Sequence, residues 1–149
     1  LADIVSRDAP PDSLRMLACH HPFRSPTDAP LRTRTRRGAL ASEMLAASNI
    51  SVLLTGHVHT PHAELIREAT GNYIAISAGT LSTRLRNALP AFNSLDVTDS
   101  AVSVETHDFD GMVFRARPLG RWRTSDLMPH APTRNAEIWP FVRASQPQD

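Results

Sequence analysis

Apolar and polar residues alternate in short blocks along the chain, and these blocks predict a mixed α/β fold. Leu14–Cys19 is an apolar run of strand length, Gly38–Ala47 has helical periodicity, and the apolar run Ser51–Leu54 predicts a buried strand. The predicted apolar face of the helix comprises Leu40, Met44 and Leu45. The first part of the chain therefore has the order strand, helix, strand.

Short strand candidates fill the second part of the chain. They are Ala63–Arg67, Tyr73–Ser77, Asn93–Val97, Val102–Thr106 and Met112–Arg115. Turn residues separate several of these candidates, at Thr70-Gly71-Asn72, Asp99-Ser100 and Asp110-Gly111. We therefore expect antiparallel strands here, within an α/β sandwich.

This pattern ends after Leu119, where we place a boundary. We expect residues 1–119 to form the folded part and 120–149 to form a proline-rich, poorly ordered tail. Trp139 and Phe141 are the tail residues that would hold it to the domain.

Composition narrows the function classes without selecting one. The chain has 149 residues, with 41% hydrophobic and 21% charged residues, as in an ordinary water-soluble domain. No apolar run approaches the ~20 residues that span a bilayer. The net charge of +1 gives no overall field to attract nucleic acid or a membrane surface. The single cysteine favours a reducing, cytoplasmic location. The chain begins at Leu1 without a signal-peptide pattern, so we interpret it as a piece of a longer protein.

Histidines follow two predicted strands. Gly56-His57-Val58-His59 comes directly after Ser51–Leu54, and His20-His21-Pro22 comes after Leu14–Cys19. Imidazole is the commonest metal-ligating side chain. We expect Gly56 to allow a sharp turn by adopting a positive φ. If the two strands are joined by a crossover helix, their ends deliver the histidines to the same edge of the sheet, where sites form.

Four segments resemble bacterial, phosphodiesterase-like members of the calcineurin-like metallophosphoesterase family. They are ACHHPF, LLTGHVHTPH, AGTLSTR and PAFNSLDV, and the resemblance extends over Ser13–Ala116. It implies that the chain is the C-terminal part of a four-layer αββα sandwich. It also implies hydrolysis of a phosphomonoester or phosphodiester by a hydroxide bound to two metal ions, with Mn, Fe or Zn as the expected metals.

The resemblance also implies roles for three histidines. His20 matches the histidine of the family's His-x-Pro motif, and His57 matches the first histidine of Gly-His-x-His; both would bind one ion. His59 matches the second histidine of that motif and would bind the other ion. Mixed imidazole and carboxylate ligands suit transition metals better than Ca or Mg.

The chain departs from the family by lacking three motifs. Asp-x-His, Gly-Asp-x-x-Asp and Gly-Asn-His-Asp/Glu do not occur in it. The catalytic residues and the bridging carboxylate are therefore expected in a missing N-terminal half, and the isolated chain is expected to be inactive. The alternative is a truncated, inactive family member that serves as an interaction module. In both cases we expect an uncovered sheet edge or face, and association with a partner or with a second copy.

The substrate contacts are less clear from the sequence. His21, Arg34 and Arg36 are candidates for binding the phosphate ester. For His21, a role as a loop residue or as a residue that supports a neighbouring ligand is favoured over direct metal ligation. The arginines lie in a cluster that has two other interpretations, a solvated loop or a nucleic-acid contact. Nucleic acid ranks last, because aromatic residues make up only 5% of the chain and none interleaves the arginines.

Three further side chains have structural interpretations. We expect His62 to be a loop residue at the rim of the cleft. We expect His107 to belong to a hairpin around Asp110-Gly111. Cys19, at the end of an apolar run, is expected to be a small buried hydrophobic residue.

Overall fold

The computed structural model describes residues 13–26, 35–82, 85 and 88–127, which form one α-helix and two β-sheets. The first sheet is made of β1 (Met16–Ala18), β2 (Val52–Thr55), β3 (His62–Glu68) and β4 (Gly71–Ser77). The strand order is β1-β2-β4-β3. β1, β2 and β4 are parallel, and β3 pairs with β4 in the antiparallel direction. Helix α1 (Gly38–Ala47) lies between β1 and β2 in the chain, as the pattern predicts.

The second sheet is entirely antiparallel. It contains β5 (Ala91–Val97), β6 (Ala101–Phe109) and β7 (Phe114–Arg123), in that order. A short 3-10 helix, Thr124–Leu127, follows β7. The predicted turns at Asp99-Ser100 and Asp110-Gly111 connect these strands. This part of the chain therefore has the succession of hairpins that its turn residues predict.

Two apolar clusters define three layers. One cluster joins α1 to the first sheet through Leu45, Ala46, Leu53 and Tyr73. The other lies between the sheets and includes Val52, Ile74 and Ile76 from the first, and Val102 and Val104 from the second. The order helix, sheet, sheet confirms the predicted α/β class with two packed sheets. The described part of the chain contains no helix with the length and apolar character needed to cross a bilayer.

The face that α1 buries differs from the predicted one. Met44 is 54% exposed, and of the three predicted residues only Leu45 is buried. The buried positions are Gly38, Ser42, Leu45 and Ala46. The face is shifted because the Ser42 hydroxyl has hydrogen-bond partners on the first sheet, which stabilise it in the interior.

The folded part extends past Leu119, where we placed the boundary. β7 runs to Arg123, and Leu127 is 3% exposed in the core between the sheets. A bulge next to Val104 and Glu105 absorbs the irregularity around Pro118. Proline is tolerated there because β7 is an edge strand. The remainder of the predicted tail, with Trp139 and Phe141, lies outside the described residues.

On one side of the sandwich, the last strand of each sheet has no further strand beside it among the described residues. β1 and β5 are edge strands, and Leu54 of β2 and Leu95 of β5 line the same open cavity of about 360 Å³. A second cavity, of about 380 Å³, is lined by Leu14 and Val97. An uncovered edge at this side, and association through it, stay predictions.

Candidate metal centre

Two loops that follow neighbouring parallel strands bring the histidines together. Beyond the last residue pair of β1 and β2, the Cys19 amide donates to the Leu54 carbonyl at 2.9 Å. The Gly56 amide then donates to the His20 carbonyl at 3.1 Å. These two bonds extend the backbone hydrogen bonding between β1 and β2 into the loops that follow them. They place His20 beside the Gly56-His57 segment at the C-terminal edge of the sheet, where α/β sites form.

Three imidazole rings converge at this edge. His20, His21 and His57 each offer a ring nitrogen, and the three nitrogens lie within 4.8 Å of one another. Nδ1 of His57 lies 3.3 Å from Nε2 of His20. The ring centroid of His21 lies 4.6 Å from the ring centroid of His20 and 4.3 Å from that of His57. His20 and His21 are exposed and His57 is half-buried, so the cluster opens to solvent.

The loop that carries His57 contains unusual backbone. His57 and His59 both have positive φ, of 66° and 61°. The Val58 amide donates to the Gly56 carbonyl at 2.7 Å, which is the bond of a γ-turn centred on His57. With a positive φ at its centre, this turn is the rarer and strained form. Val58 is fully buried, and we infer that its packing holds the loop in this shape.

The role that we assigned to Gly56 is wrong. Gly111 is the glycine with positive φ in the described part of the chain, whereas Gly56 has none. A Cβ at Gly56 would lie 3.9 Å from the His20 side chain, an ordinary contact. The sharp turn is centred on His57, one residue after the predicted position, and the bond from the Val58 amide to the Gly56 carbonyl closes it.

The loop after His21 is fixed by close contacts to the start of α1. The Thr35 hydroxyl donates to the Pro22 carbonyl at 2.5 Å. A Cβ on Gly38 would lie only 2.0 Å from the Phe23 carbonyl oxygen, so no larger residue fits there without movement. Pro22 is itself buried. This packing fixes the direction in which the chain leaves the histidine pair.

An ion pair joins the same loop to the first sheet. Arg24 donates to Oε1 of Glu68 from both Nε, at 3.0 Å, and Nη2, at 2.6 Å. The Ser42 hydroxyl donates to the same oxygen and lies 2.6 Å from the Tyr73 hydroxyl. Burial raises the pKa of Tyr73, although the Ser42 hydrogen bond opposes this shift. The network therefore connects the loop, α1, β3 and β4.

Cys19 lies next to the site but has no sign of activation. Its side chain is half-buried against the core between α1 and the first sheet. Burial raises the pKa of the thiol, which disfavours the reactive thiolate. Sγ donates to the His21 carbonyl at 3.3 Å. The predicted packing role of Cys19 is thus accompanied by a bond that helps to position the His21 backbone.

Two other candidate histidines, His59 and His62, lie outside the histidine cluster. His59 is half-buried and does not belong to the group of three described above. His62 is the first residue of β3, paired with Ser77, so its predicted place in a loop is wrong. The ladder extends to His62 because β4 provides a partner as far as Ser77. Its Nε2 lies 3.5 Å from Oε1 of Glu64.

The remaining candidates are an arginine pair and His107. Arg36 is exposed in the turn before α1, and Arg34 lies outside the described residues. His107 lies in β6, opposite Ala116 of β7, so it belongs to the hairpin around Asp110-Gly111 as predicted. Its ring stacks on Phe92 with a centroid distance of 4.6 Å, and its Nε2 lies 2.9 Å from the Ser94 hydroxyl. These contacts are structural and lie on the second sheet.

The histidine cluster has the donor chemistry of a transition-metal site. Zn, Cu, Fe and Ni all accept imidazole ligands. Among the described residues, the cluster contains three neutral donors and no carboxylate. Such a set fits one ion better than two, because a pair of dications would have no bridging anion between them. An open side remains for a further ligand, since two of the rings are exposed.

Comparison with known proteins gives a limited result. No protein-family model matches the sequence, and neither does any curated protein. Solved structures of Vps29 show a partial likeness. A zinc complex of Vps29 from Entamoeba histolytica is 17% identical, with a TM-score of 0.44 and coverage of 66% of this chain and 51% of that one. Vps29 from Cryptosporidium parvum is 16% identical, with a TM-score of 0.42 and coverage of 60% and 46%.

This chain therefore spans about half the length of the Vps29 chains that it matches. At these identities and TM-scores the likeness assigns neither activity nor partners.

Proposed function

We propose that this chain is the C-terminal part of a metal-dependent phosphoester hydrolase of the calcineurin-like type. The observation that supports this most strongly is the convergence of His20 and His57 from the ends of adjacent parallel strands. The motif resemblance assigns these same two residues to one ion. A γ-turn at His57 adds support, because backbone strain concentrates at functional sites.

In this proposal each residue has a defined task. His20 and His57 hold one ion, and His59 holds a second ion in the complete enzyme. Mn, Fe or Zn, when bound, polarises the phosphoryl oxygen and lowers the pKa of a water molecule. We assign His21, Arg34 and Arg36 to contacts with the anionic ester, on the basis of their places in the sequence. The acidic ligands and the catalytic residues come from a segment upstream of this chain.

Hydrolysis by an extended chain tests the proposal. The protein is extended upstream in its own reading frame and assayed on an aryl phosphodiester with added Mn. Alanine at His20, His57 or His59 is expected to lower turnover by at least about a hundredfold, the upper end of the loss caused by removing a supporting residue. His107→Ala is the control and is expected to change turnover little. Activity that survives His59→Ala but not His107→Ala would contradict the proposal.

A second candidate function is an interaction module without catalysis. Within the part of the chain that the structure describes, β1 and β5 end their sheets and have open cavities between the sheets beside them, which favours this alternative. Unpaired strand edges readily accept a strand from another chain. The upstream reading frame distinguishes the two candidates. Acidic metal motifs in that frame support the hydrolase, and a stop codon or unrelated sequence supports the module. A cytoplasmic location fits both, given the single, half-buried cysteine.

A further inference from the structure

We propose that His20, His21 and His57 bind one transition-metal ion together, so that His21 is a metal ligand rather than a substrate contact. This inference rests on the proposed function only in placing an ion at His20 and His57. It differs in the third ligand, which the sequence resemblance placed at His59 on a separate ion. The reason is geometric: His21, not His59, offers a nitrogen within 4.8 Å of the other two.

The spacing of the nitrogens matches the spacing around an ion. Zinc–nitrogen bonds are about 2.0–2.1 Å long, so two nitrogens on a tetrahedral zinc lie about 3.3–3.4 Å apart. Nδ1 of His57 and Nε2 of His20 are 3.3 Å apart. In the metal-free chain the two nitrogens are within hydrogen-bond distance of each other, so an ion would replace this contact. The two nitrogens thus already have the separation that a shared ion requires.

The orientation of the rings is also suitable for ligation. The ring of His20 stands at 88° to His21 and at 82° to His57, and the rings of His21 and His57 are tilted at 42° to each other, so no pair is stacked face to face. Ligands around one ion approach it with their ring edges, and these orientations allow that approach. The side chain of His21 is exposed, so little packing opposes the rotation that brings its nitrogen closer.

The backbone holds all three residues in register. The His20 carbonyl accepts a bond from the Gly56 amide, and the His21 carbonyl accepts one from Cys19 Sγ. The γ-turn fixes His57 on the other loop. Because the backbone is already held in place, only side-chain rotation has to be restricted on binding, and this smaller entropy loss raises the affinity for the ion.

The donor set indicates the class of ion and of fourth ligand. Three protein ligands and one open position are typical of catalytic zinc, and imidazole is one of its preferred donors. Three neutral imidazoles leave the charge of a divalent cation uncompensated. The open position therefore favours an anion, and inorganic phosphate is the simplest one with the chemistry of the proposed substrate.

Cobalt(II) titration of the full 149-residue chain is the test, because four-coordinate Co(II) absorbs visibly and reports its ligands. His21→Ala is expected to weaken Co(II) binding at least tenfold, about the lower limit found even for removal of a residue that only supports a ligand. His107→Ala is the matched control and is expected to leave affinity unchanged. Circular dichroism of each metal-free variant verifies that it folds.

A second variant tests ligation directly. His21→Cys supplies a thiolate at the same position and is expected to add a thiolate-to-cobalt charge-transfer band in the near ultraviolet. The unaltered chain, which retains Cys19, is the control and is expected to lack this band. A residue with only a structural role at position 21 would not produce it.

The outcomes separate this inference from the proposed function. If His20→Ala and His57→Ala abolish binding but His21→Ala does not, the inference is overturned and the ion of the proposed function remains. Loss of binding in His59→Ala instead of His21→Ala also overturns it. If neither His20→Ala nor His57→Ala affects binding, the proposed metal site fails together with the inference.

Discussion

Replacing Glu68 tests whether the loop after the histidine pair is anchored by its ion pair to the first sheet. One oxygen of Glu68 accepts both Arg24 bonds and the Ser42 hydroxyl bond. The Glu68 side chain is 8% exposed, whereas that of Arg24 is 44% exposed. Glu68→Gln keeps the size and an acceptor oxygen but removes the charge. The variant therefore isolates the electrostatic part of the contact.

The expected loss follows from the partners of that oxygen. Hydrogen bonds to charged groups contribute about 1.5–3 kcal/mol each, and neutral ones about 0.5–1.5 kcal/mol. Water screens the Arg24 side of the pair, which reduces the Coulombic part. We therefore expect Glu68→Gln to lower the free energy of unfolding by about 1–2 kcal/mol. Glu68→Ala should lower it further, because the Ser42 hydroxyl loses this acceptor and Arg24 keeps only its bond to Ser42 Oγ.

Urea unfolding followed by circular dichroism measures this loss. Glu43→Gln, at an exposed position of α1, is the control and is expected to change the free energy of unfolding by no more than about 0.5 kcal/mol. Equal stability of Glu68→Gln and the unaltered chain would show that the ion pair does not anchor the loop. A fall in Co(II) affinity in the same variant would show that the anchor also positions the histidines.

Three further predictions concern packing, pH and assembly. Gly38→Ala should destabilise the chain by about 1–3 kcal/mol in urea unfolding, because the added methyl group overlaps the Phe23 carbonyl; unchanged stability would contradict that packing. Burial raises the pKa of Tyr73, so its contribution to stability is complete below the ordinary tyrosine pKa of about 10 and is lost as the pH rises toward the folded-state value. Tyr73→Phe should remove that alkaline dependence, as measured by unfolding across this pH range, and an equally steep loss in the variant would exclude Tyr73 as its source. The edges at β1 and β5, which no described strand covers, should cause the chain to associate in sedimentation experiments, whereas a monomer at all concentrations would argue against it.

The sequence predicts helix α1 better than it predicts its orientation. Helical spacing gives Gly38–Ala47 with the same bounds as the structure. The predicted buried face is wrong at Met44, which is exposed, and it omits Ser42, which is fully buried. Ser42 is buried because Glu68 and Tyr73 supply partners from distant parts of the chain. Periodicity includes no information about such partners.

The second sheet shows a similar limit. Pro118 and Gly120 mark an interruption in the sequence, yet β7 continues through both. A bulge and an edge position permit this, and both depend on which strand pairs with which. The hairpin turns, by contrast, are specified by local residues and were predicted correctly at Asp99-Ser100 and Asp110-Gly111.

At the site, the sequence correctly predicted that His20 and His57 lie close together. Each follows one of two adjacent parallel strands, and the ends of such strands lie at the same edge of the sheet. The place of His21 in the cluster could not be predicted, since it depends on how the loop turns after β1. The positive φ at His57 could not be predicted either. Glycine is the residue that usually adopts a positive φ, so the sequence pointed to the neighbouring Gly56 instead. The sequence therefore predicts which strands are neighbours, whereas it does not predict the direction of individual side chains.

Zinc titration followed by NMR of the histidine ring nitrogens tests the central claim most directly. The claim is that the loops after β1 and β2 hold a metal ion. It predicts that zinc shifts the ring-nitrogen signals of His20 and His57 until one ion is bound per chain, while His107 on β6 stays unchanged. Zinc that leaves both His20 and His57 unchanged, or that shifts His107 equally, would contradict the claim.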